Sequence, residues 1–140
     1  MKYEGVLREY EDMKPGLSRI RNLLKALGNP QKTLKYIHIA GTNGKGSTAY
    51  YIAEILKENG YKTALYTSPH LLDITERIKI NGKNISAKIF DSLFKKHLSL
   101  SKKYGLSFFE YITALSFVFF AKQKADIAVL ETGLGGRFDA

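Results

Sequence analysis

Ile37-His38-Ile39-Ala40-Gly41-Thr42-Asn43-Gly44-Lys45-Gly46-Ser47-Thr48 is an apolar, strand-like run that breaks into a glycine-rich turn and then opens a helix. This order of residues suits a bound phosphate. Glycines let successive backbone N–H groups turn inward around an anion, and the N-terminus of the following helix adds its partial positive charge. Lys45 contributes a full charge, and a hydroxyl at Ser47 or Thr48 is placed to reach a magnesium ion. The loop is a variant. The common pattern has a glycine, four residues, then Gly-Lys followed by Ser or Thr; here position 39 is Ile and position 46 is Gly. The alternative is an ordinary glycine-rich strand-to-helix connection, and the flanking sequence weighs against it.

Ahead of the loop, Leu34 to Ala40 has the apolar, β-branched character of a strand. Behind it, Ala49, Ile52, Ala53 and Leu56 form one apolar face of a helix that ends near Asn59-Gly60, and Thr63 to Thr67 reads as the next strand. Strand, loop, helix and strand make a βαβ unit, with parallel strands and a right-handed crossover. Ser68-Pro69-His70-Leu71-Leu72-Asp73 then leaves the sheet at the same edge as the phosphate loop. Ligands of open α/β sheets bind outside the carboxyl ends of the strands, so Ser68 and His70 are site candidates, although Ser-Pro-His read alone is a turn. Asp126 to Leu130 reads as a buried parallel strand, since it lacks alternation. It delivers Glu131, followed by Thr132-Gly133-Leu134-Gly135-Gly136-Arg137. A carboxylate at a strand tip beside a phosphate loop is what a nucleotide site uses to hold magnesium, which makes Glu131 the leading metal-ligand candidate. The competing reading is a strand-end glutamate facing water.

The remaining segments frame this unit. Leu17, Ile20, Leu24 and Leu27 recur at helical spacing after the turn Lys14-Pro15-Gly16, with Arg19, Arg21 and Lys25 for the other face, and Gly28 and Pro30 supply the stop. Arg77-Ile78-Lys79-Ile80-Asn81-Gly82-Lys83 predicts a short strand and a tight reversal. Ser86 is placed as an N-cap for a helix whose apolar face is Ile89, Phe90, Leu93, Phe94 and Leu98, with Lys95, Lys96, Lys102 and Lys103 in water and His97 at the surface or rim. Ser107-Phe108-Phe109-Glu110 precedes Tyr111 to Ala121, apolar almost all round and therefore a buried helix. The two phenylalanines fit either core packing or a flat wall for an aromatic ligand.

At 140 residues and 44% hydrophobic, the chain can bury a proper core. It has no cysteine, which excludes disulfides, thiolate metal sites and a cysteine nucleophile and fits a reducing compartment. No window reaches the length of a membrane span, so no membrane association is expected and the cytoplasm is the expected location. The net charge of +9 is spread from Lys2 to Arg137 and not gathered in a stripe, which favours a solvated lysine-rich surface over nucleic-acid binding. The chain ends at Phe138-Asp139-Ala140, inside a loop that should lead onward. Residues 1–140 are therefore expected to be the N-terminal, truncated portion of a three-layer αβα, P-loop NTPase-like domain with a mainly parallel sheet.

Four segments together resemble one family: Ala40 to Ser47, Thr67-Ser68-Pro69-His70-Leu71, Thr75-Glu76-Arg77-Ile78-Lys79-Ile80-Asn81-Gly82, and Leu130 to Ala140. They are similar to folylpolyglutamate synthase and dihydrofolate synthase, relatives of the Mur peptide ligases, in order and spacing from about Gly16 onward. The resemblance implies an ATP-dependent ligase joining L-glutamate to folate, or to dihydropteroate, through an acyl phosphate. It implies that Thr42, Asn43, Gly44, Lys45, Gly46, Ser47 and Thr48 cradle the ATP phosphates, with Lys45 on the β- and γ-phosphates. Ser47, Ser68 and Glu131 would hold Mg2+, and the family also admits a monovalent cation. Ser107, Phe108, Phe109, Glu110 and Arg137 would contribute to a pterin pocket. Full-length relatives, usually monomeric, continue with more of the ATPase domain and a second domain, so these residues alone are expected to catalyse little. Another Mur-like amide ligase, or a non-catalytic basic nucleotide- or nucleic-acid-binding module, are the rival readings.

Overall fold

The computed structural model describes Tyr3, residues 16–133 and residues 139–140. The first helix, α1 (Ser18–Ala26), buries Ile20, Leu23 and Leu24. A 3₁₀ turn over Pro30–Thr33 leads into β1 (Lys35–Ile39), and the glycine-rich loop connects β1 to α2 (Lys45–Glu58). Next come β2 (Thr63–Tyr66), a 3₁₀ turn over Ile74–Arg77, and the hairpin strands β3 (Ile78–Ile80) and β4 (Lys83–Asn84). Asn81 and Gly82 both have positive φ, as a two-residue primed turn requires. Two helices, α3 (Ala87–Tyr104) and α4 (Phe108–Lys122), precede the last strand, β5 (Ile127–Glu131).

The sheet runs β1-β5-β2-β3-β4. β5 is parallel to both β1 and β2, and β3 and β4 add an antiparallel edge. The expected βαβ unit is present, but its two strands are not neighbours, because β5 is inserted between them. This insertion brings the carboxyl ends of three parallel strands together: Ile39 pairs with Glu131, and Tyr66 with Leu130.

The layers follow from the two faces of those strands. Leu65 and Val129 meet Ala49 and Ala53 of α2 on one side, while Ala64, Tyr66 and Ala128 join the larger core formed with α1, α3 and α4 on the other. The absence of alternation in β5 has this cause, since residues of both parities are covered. The helix α4 is buried along nearly its whole length and starts earlier than the apolar run suggests, at Phe108. Ser107 accepts the Glu110 N–H and Glu110 accepts the Ser107 N–H, a capping box that closes both ends of the first turn.

Two expectations are corrected. His97 is buried, at 9% exposure, and not at the surface; it falls on the same stripe of α3 as Phe90, Phe94 and Ser101, which all face the core. Arg19 does not point to open water: its side chain, 22% exposed, reaches across to Glu110 of α4.

Candidate functional site

The phosphate-loop candidates lie where the strand ends converge. Gly41 and Gly44 have φ of +153° and +74°, backbone that glycine adopts without strain, and Gly44 is the N-cap of α2. No side chain caps this helix, and the N–H groups of its first turn have no helical acceptor. Thr42, Asn43 and Gly44 are exposed, and Lys45 is half-buried, its Cγ 3.8 Å from where a Cβ on Gly41 would stand. The Thr48 hydroxyl donates back to the Gly44 carbonyl at 2.8 Å, and Ser47 is exposed beside it. The Thr48 hydroxyl hydrogen thus closes the helix turn and leaves its oxygen lone pairs, like the exposed Ser47 hydroxyl, available to a ligand.

Glu131 ends β5, with 9% of its surface exposed. A Cβ built on Gly46 would stand 3.5 and 3.6 Å from its two carboxylate oxygens, so the carboxylate lies directly against the first turn of α2. From the other side, the Ser68 N–H donates to Glu131 Oε2 at 3.1 Å. The loop at 41–48, the Ser-Pro-His segment and the strand-end carboxylate, far apart in sequence, therefore meet at one point. Among the described residues Glu131 has no ion pair, and no group of three or more His, Asp or Glu side chains gathers. A lone carboxylate with hydroxyls nearby fits Mg2+, which takes one or two protein carboxylates and completes its shell with water and phosphate oxygens.

The Ser68 loop is held by the turn that follows it. The Thr67 N–H donates to the Arg77 carbonyl at 3.1 Å, and Arg77 Nε–H donates to His70 Nδ1 at 2.9 Å. The Glu76 carboxylate accepts from Leu71, Leu72 and Asp73 N–H groups at 2.9, 3.0 and 2.7 Å, which holds its pKa below the ordinary carboxylate value. Asp73 is likewise lowered, by the Thr75 hydroxyl and N–H. Arg77 is 2% exposed, with its guanidinium 5.9 Å from the Phe108 ring centre. Sequence reasoning missed it as a site residue, because a charge opening an alternating strand is sorted to the solvent face. Behind it, burial pushes the Tyr66 hydroxyl up to about 12, and Thr113 Oγ1 lies 3.1 Å away.

The segment Ser107 to Glu110 packs against the core and caps α4. Phe108 is fully buried and Phe109 is 5% exposed, its Cζ only 2.7 Å from where a Cβ on Gly133 would stand. Both phenylalanines pack into the larger core. Glu110 caps α4 with Ser107 and pairs with Arg19 through both oxygens, at 3.0 and 3.1 Å. Arg137 lies outside the described residues, as does the stretch before Gly16 apart from Tyr3. Among the described residues no helix is long and apolar enough to cross a membrane.

No protein-family model matches the chain. It is 43% identical over 135 residues to a dihydrofolate synthase/folylpolyglutamate synthase from Bacillus subtilis, covering 91% of this chain and 31% of the relative. A crystal structure of folylpolyglutamate synthase from Thermotoga maritima superposes with a TM-score of 0.85 at 46% identity, covering 93% of this chain and 32% of that one. A bifunctional folylpolyglutamate synthase/dihydrofolate synthase solved with Mn, AMPPNP and L-glutamate bound gives 0.86 at 35% identity, over 94% and 32% of the two chains. The chain thus spans about a third of the length of the relatives it matches.

Proposed function

In sequence and fold the chain belongs with the folylpolyglutamate synthase and dihydrofolate synthase family, and from that premise we propose that it forms the phosphate- and metal-binding part of a ligase that uses ATP to join L-glutamate to a folate. The observation that carries the proposal is the meeting of Gly46, Ser68 and Glu131 at the carboxyl ends of three parallel strands. The relative with AMPPNP, manganese and glutamate supports ATP, a divalent ion and glutamate as its ligands.

In this reading the N–H groups at the start of α2 and the Lys45 ammonium hold the β- and γ-phosphates, with Thr42, Asn43 and Gly44 shaping the loop. Ser47, Ser68 and Glu131 would hold Mg2+, which would supply charge neutralisation at the phosphate oxygens. The γ-phosphoryl group passes to a substrate carboxylate. The resulting acyl phosphate is attacked by the glutamate amine, which forms the amide and releases phosphate. This chemistry needs charge neutralisation and positioning more than covalent help, and the chain supplies those two things. Dihydropteroate is a second acceptor in the proposal, the cytoplasm is its location, and Ser107, Phe108, Phe109, Glu110 and Arg137 contribute to the pterin pocket. The test is glutamate- and folate-dependent release of phosphate from ATP by the whole protein, with Lys45→Ala beside it. Loss of about a hundredfold or more is expected for removal of a charged phosphate clamp, and full activity in the variant would remove the phosphate-loop assignment.

A further inference from the structure

A cavity of about 380 Å3 opens between α3, α4 and the turn after α1, away from the site described above. α4 carries Phe109 beside Gly133 near its start and ends at Lys122, which lines the cavity. At about 1.5 Å per residue the helix puts about 20 Å between the two places. Leu27, Pro30, Val118 and Ala121 supply the apolar part of the lining, and Lys96, His97 and Lys122 the polar part. Among the described residues no Asp or Glu lines it.

The polar groups are unsatisfied. His97 is 9% exposed, and its Nε2 is shut off from solvent with no hydrogen-bond partner among the described residues. A buried imidazole without a partner costs free energy that a bound acceptor would offset. Lys96 and Lys122 make no ion pair among the described residues, unlike Lys95 one position earlier, whose ammonium lies 2.6 Å from Asp91. Both lysines are close enough to act on the ring: after burial, their charges hold the His97 pKa below its ordinary value. Two unpaired cations and an imidazole donor thus share one cavity, with no carboxylate in its lining to answer them. Its volume falls in the range of small-molecule sites, roughly 300–1,000 Å3, and is more than an inorganic oxyanion fills. We propose that this cavity binds a small organic anion. Its carboxylate or phosphate group lies between Lys96 and Lys122 and accepts the His97 N–H, and its carbon body rests on Leu27, Val118 and Ala121. The site does not depend on the ligase reading.

The His97 ring reports occupancy directly. Its proton and nitrogen resonances, assigned from their absence in His97→Phe, are followed in the purified protein as phenyl phosphate, benzoate and inorganic phosphate are added in separate titrations. The expected result is a saturable shift with phenyl phosphate or benzoate, the tighter of the two naming the anionic group. Inorganic phosphate should bind about tenfold more weakly, for lack of a carbon body to bury. Lys96→Gln and Lys122→Gln should each weaken the organic anion about tenfold, as loss of a charge-assisted contact does. Lys95→Gln removes the same charge from the same helix and should leave the affinity within about twofold. The shift should persist in Lys45→Ala, which separates the cavity from the phosphate loop. No saturable shift with any probe overturns the proposal, and so does equal weakening by Lys95→Gln, the mark of net charge alone. Inorganic phosphate binding as tightly as phenyl phosphate overturns the organic body. By calorimetry in the Lys45→Ala background, His97→Phe should bind the organic anion about tenfold more weakly, and unchanged affinity overturns the histidine contact.

Discussion

Replacing Glu131 by Gln separates what the carboxylate does for the fold from what it does for a ligand. Gln keeps an oxygen to accept the Ser68 N–H, now at 3.1 Å, and nearly the same volume beside Gly46. What is lost is the charge. A hydrogen bond to a charged acceptor contributes about 1.5–3 kcal/mol and a neutral one about 0.5–1.5, so the fold loses about 1 kcal/mol. Against this, a carboxylate that is 9% exposed and unpaired among the described residues no longer has to be buried. Unfolding free energy should therefore change by less than about 1 kcal/mol, read as the urea midpoint at constant slope. Ligand binding should change far more. Loss of an outer-shell partner already costs a metal site roughly 10–100-fold, so loss of a direct carboxylate should weaken Mg2+-dependent ATP binding by about 100-fold, ~2.7 kcal/mol by calorimetry. Undiminished binding in Glu131→Gln would refute the metal role. A loss of about 3 kcal/mol or more in stability, the size expected when a buried charge pair is broken, would show that the charge serves the fold instead.

Three further predictions concern the surroundings. Gly133→Ala places a Cβ 2.7 Å from Cζ of the buried Phe109 ring, so urea unfolding should show a loss of about 1–3 kcal/mol, partly recovered by adding Phe109→Leu; an unchanged midpoint would mean the ring does not pack there. The Thr132 hydroxyl is buried with no partner among the described residues, and Thr132→Val should stabilise by about 1 kcal/mol, whereas a destabilised variant would reveal a partner that the hydroxyl needs. Burial, then the charges of Lys96 and Lys122, lower the His97 pKa from its ordinary 6.5. The unfolded chain takes up that proton first, so stability is lost as pH falls through about 6.5 and below. His97→Leu should flatten this acid limb in urea midpoints between about pH 7 and pH 5, and parallel curves for the two proteins would contradict it.

The parts of the fold legible in the sequence were those written in local pattern. The run Ile37 to Thr48 announces strand, loop and helix through its glycines, and Ile127 to Leu130 announces a strand covered on both faces. The insertion of β5 between β1 and β2 was not legible, because no local feature says which strands become neighbours. Charged residues misled for a related reason. Arg19 and Arg77 fall where periodicity sends charges to water, and only the distant Glu110 and His70 show why they turn inward. His97 carried a usable signal that went unread, its spacing from Phe90 and Phe94. Of the candidate site, Glu131, Ser68 and the glycine-rich loop converge as their strand-end positions implied. Ser107 and Glu110 close a helix end, a capping box that the spacing of Ser and Glu already spelled out.

The central claim is that ATP activates a substrate carboxylate as an acyl phosphate at the Lys45 loop, and isotope transfer tests it most directly. Folate labelled with 18O in its terminal carboxylate is incubated with the whole protein, ATP, Mg2+ and L-glutamate, and the released phosphate is analysed by mass spectrometry. The account predicts that phosphate acquires one labelled oxygen for each amide bond formed, and that the transfer disappears with Lys45→Ala. Amide formation with unlabelled phosphate, or with label found in AMP, would contradict it.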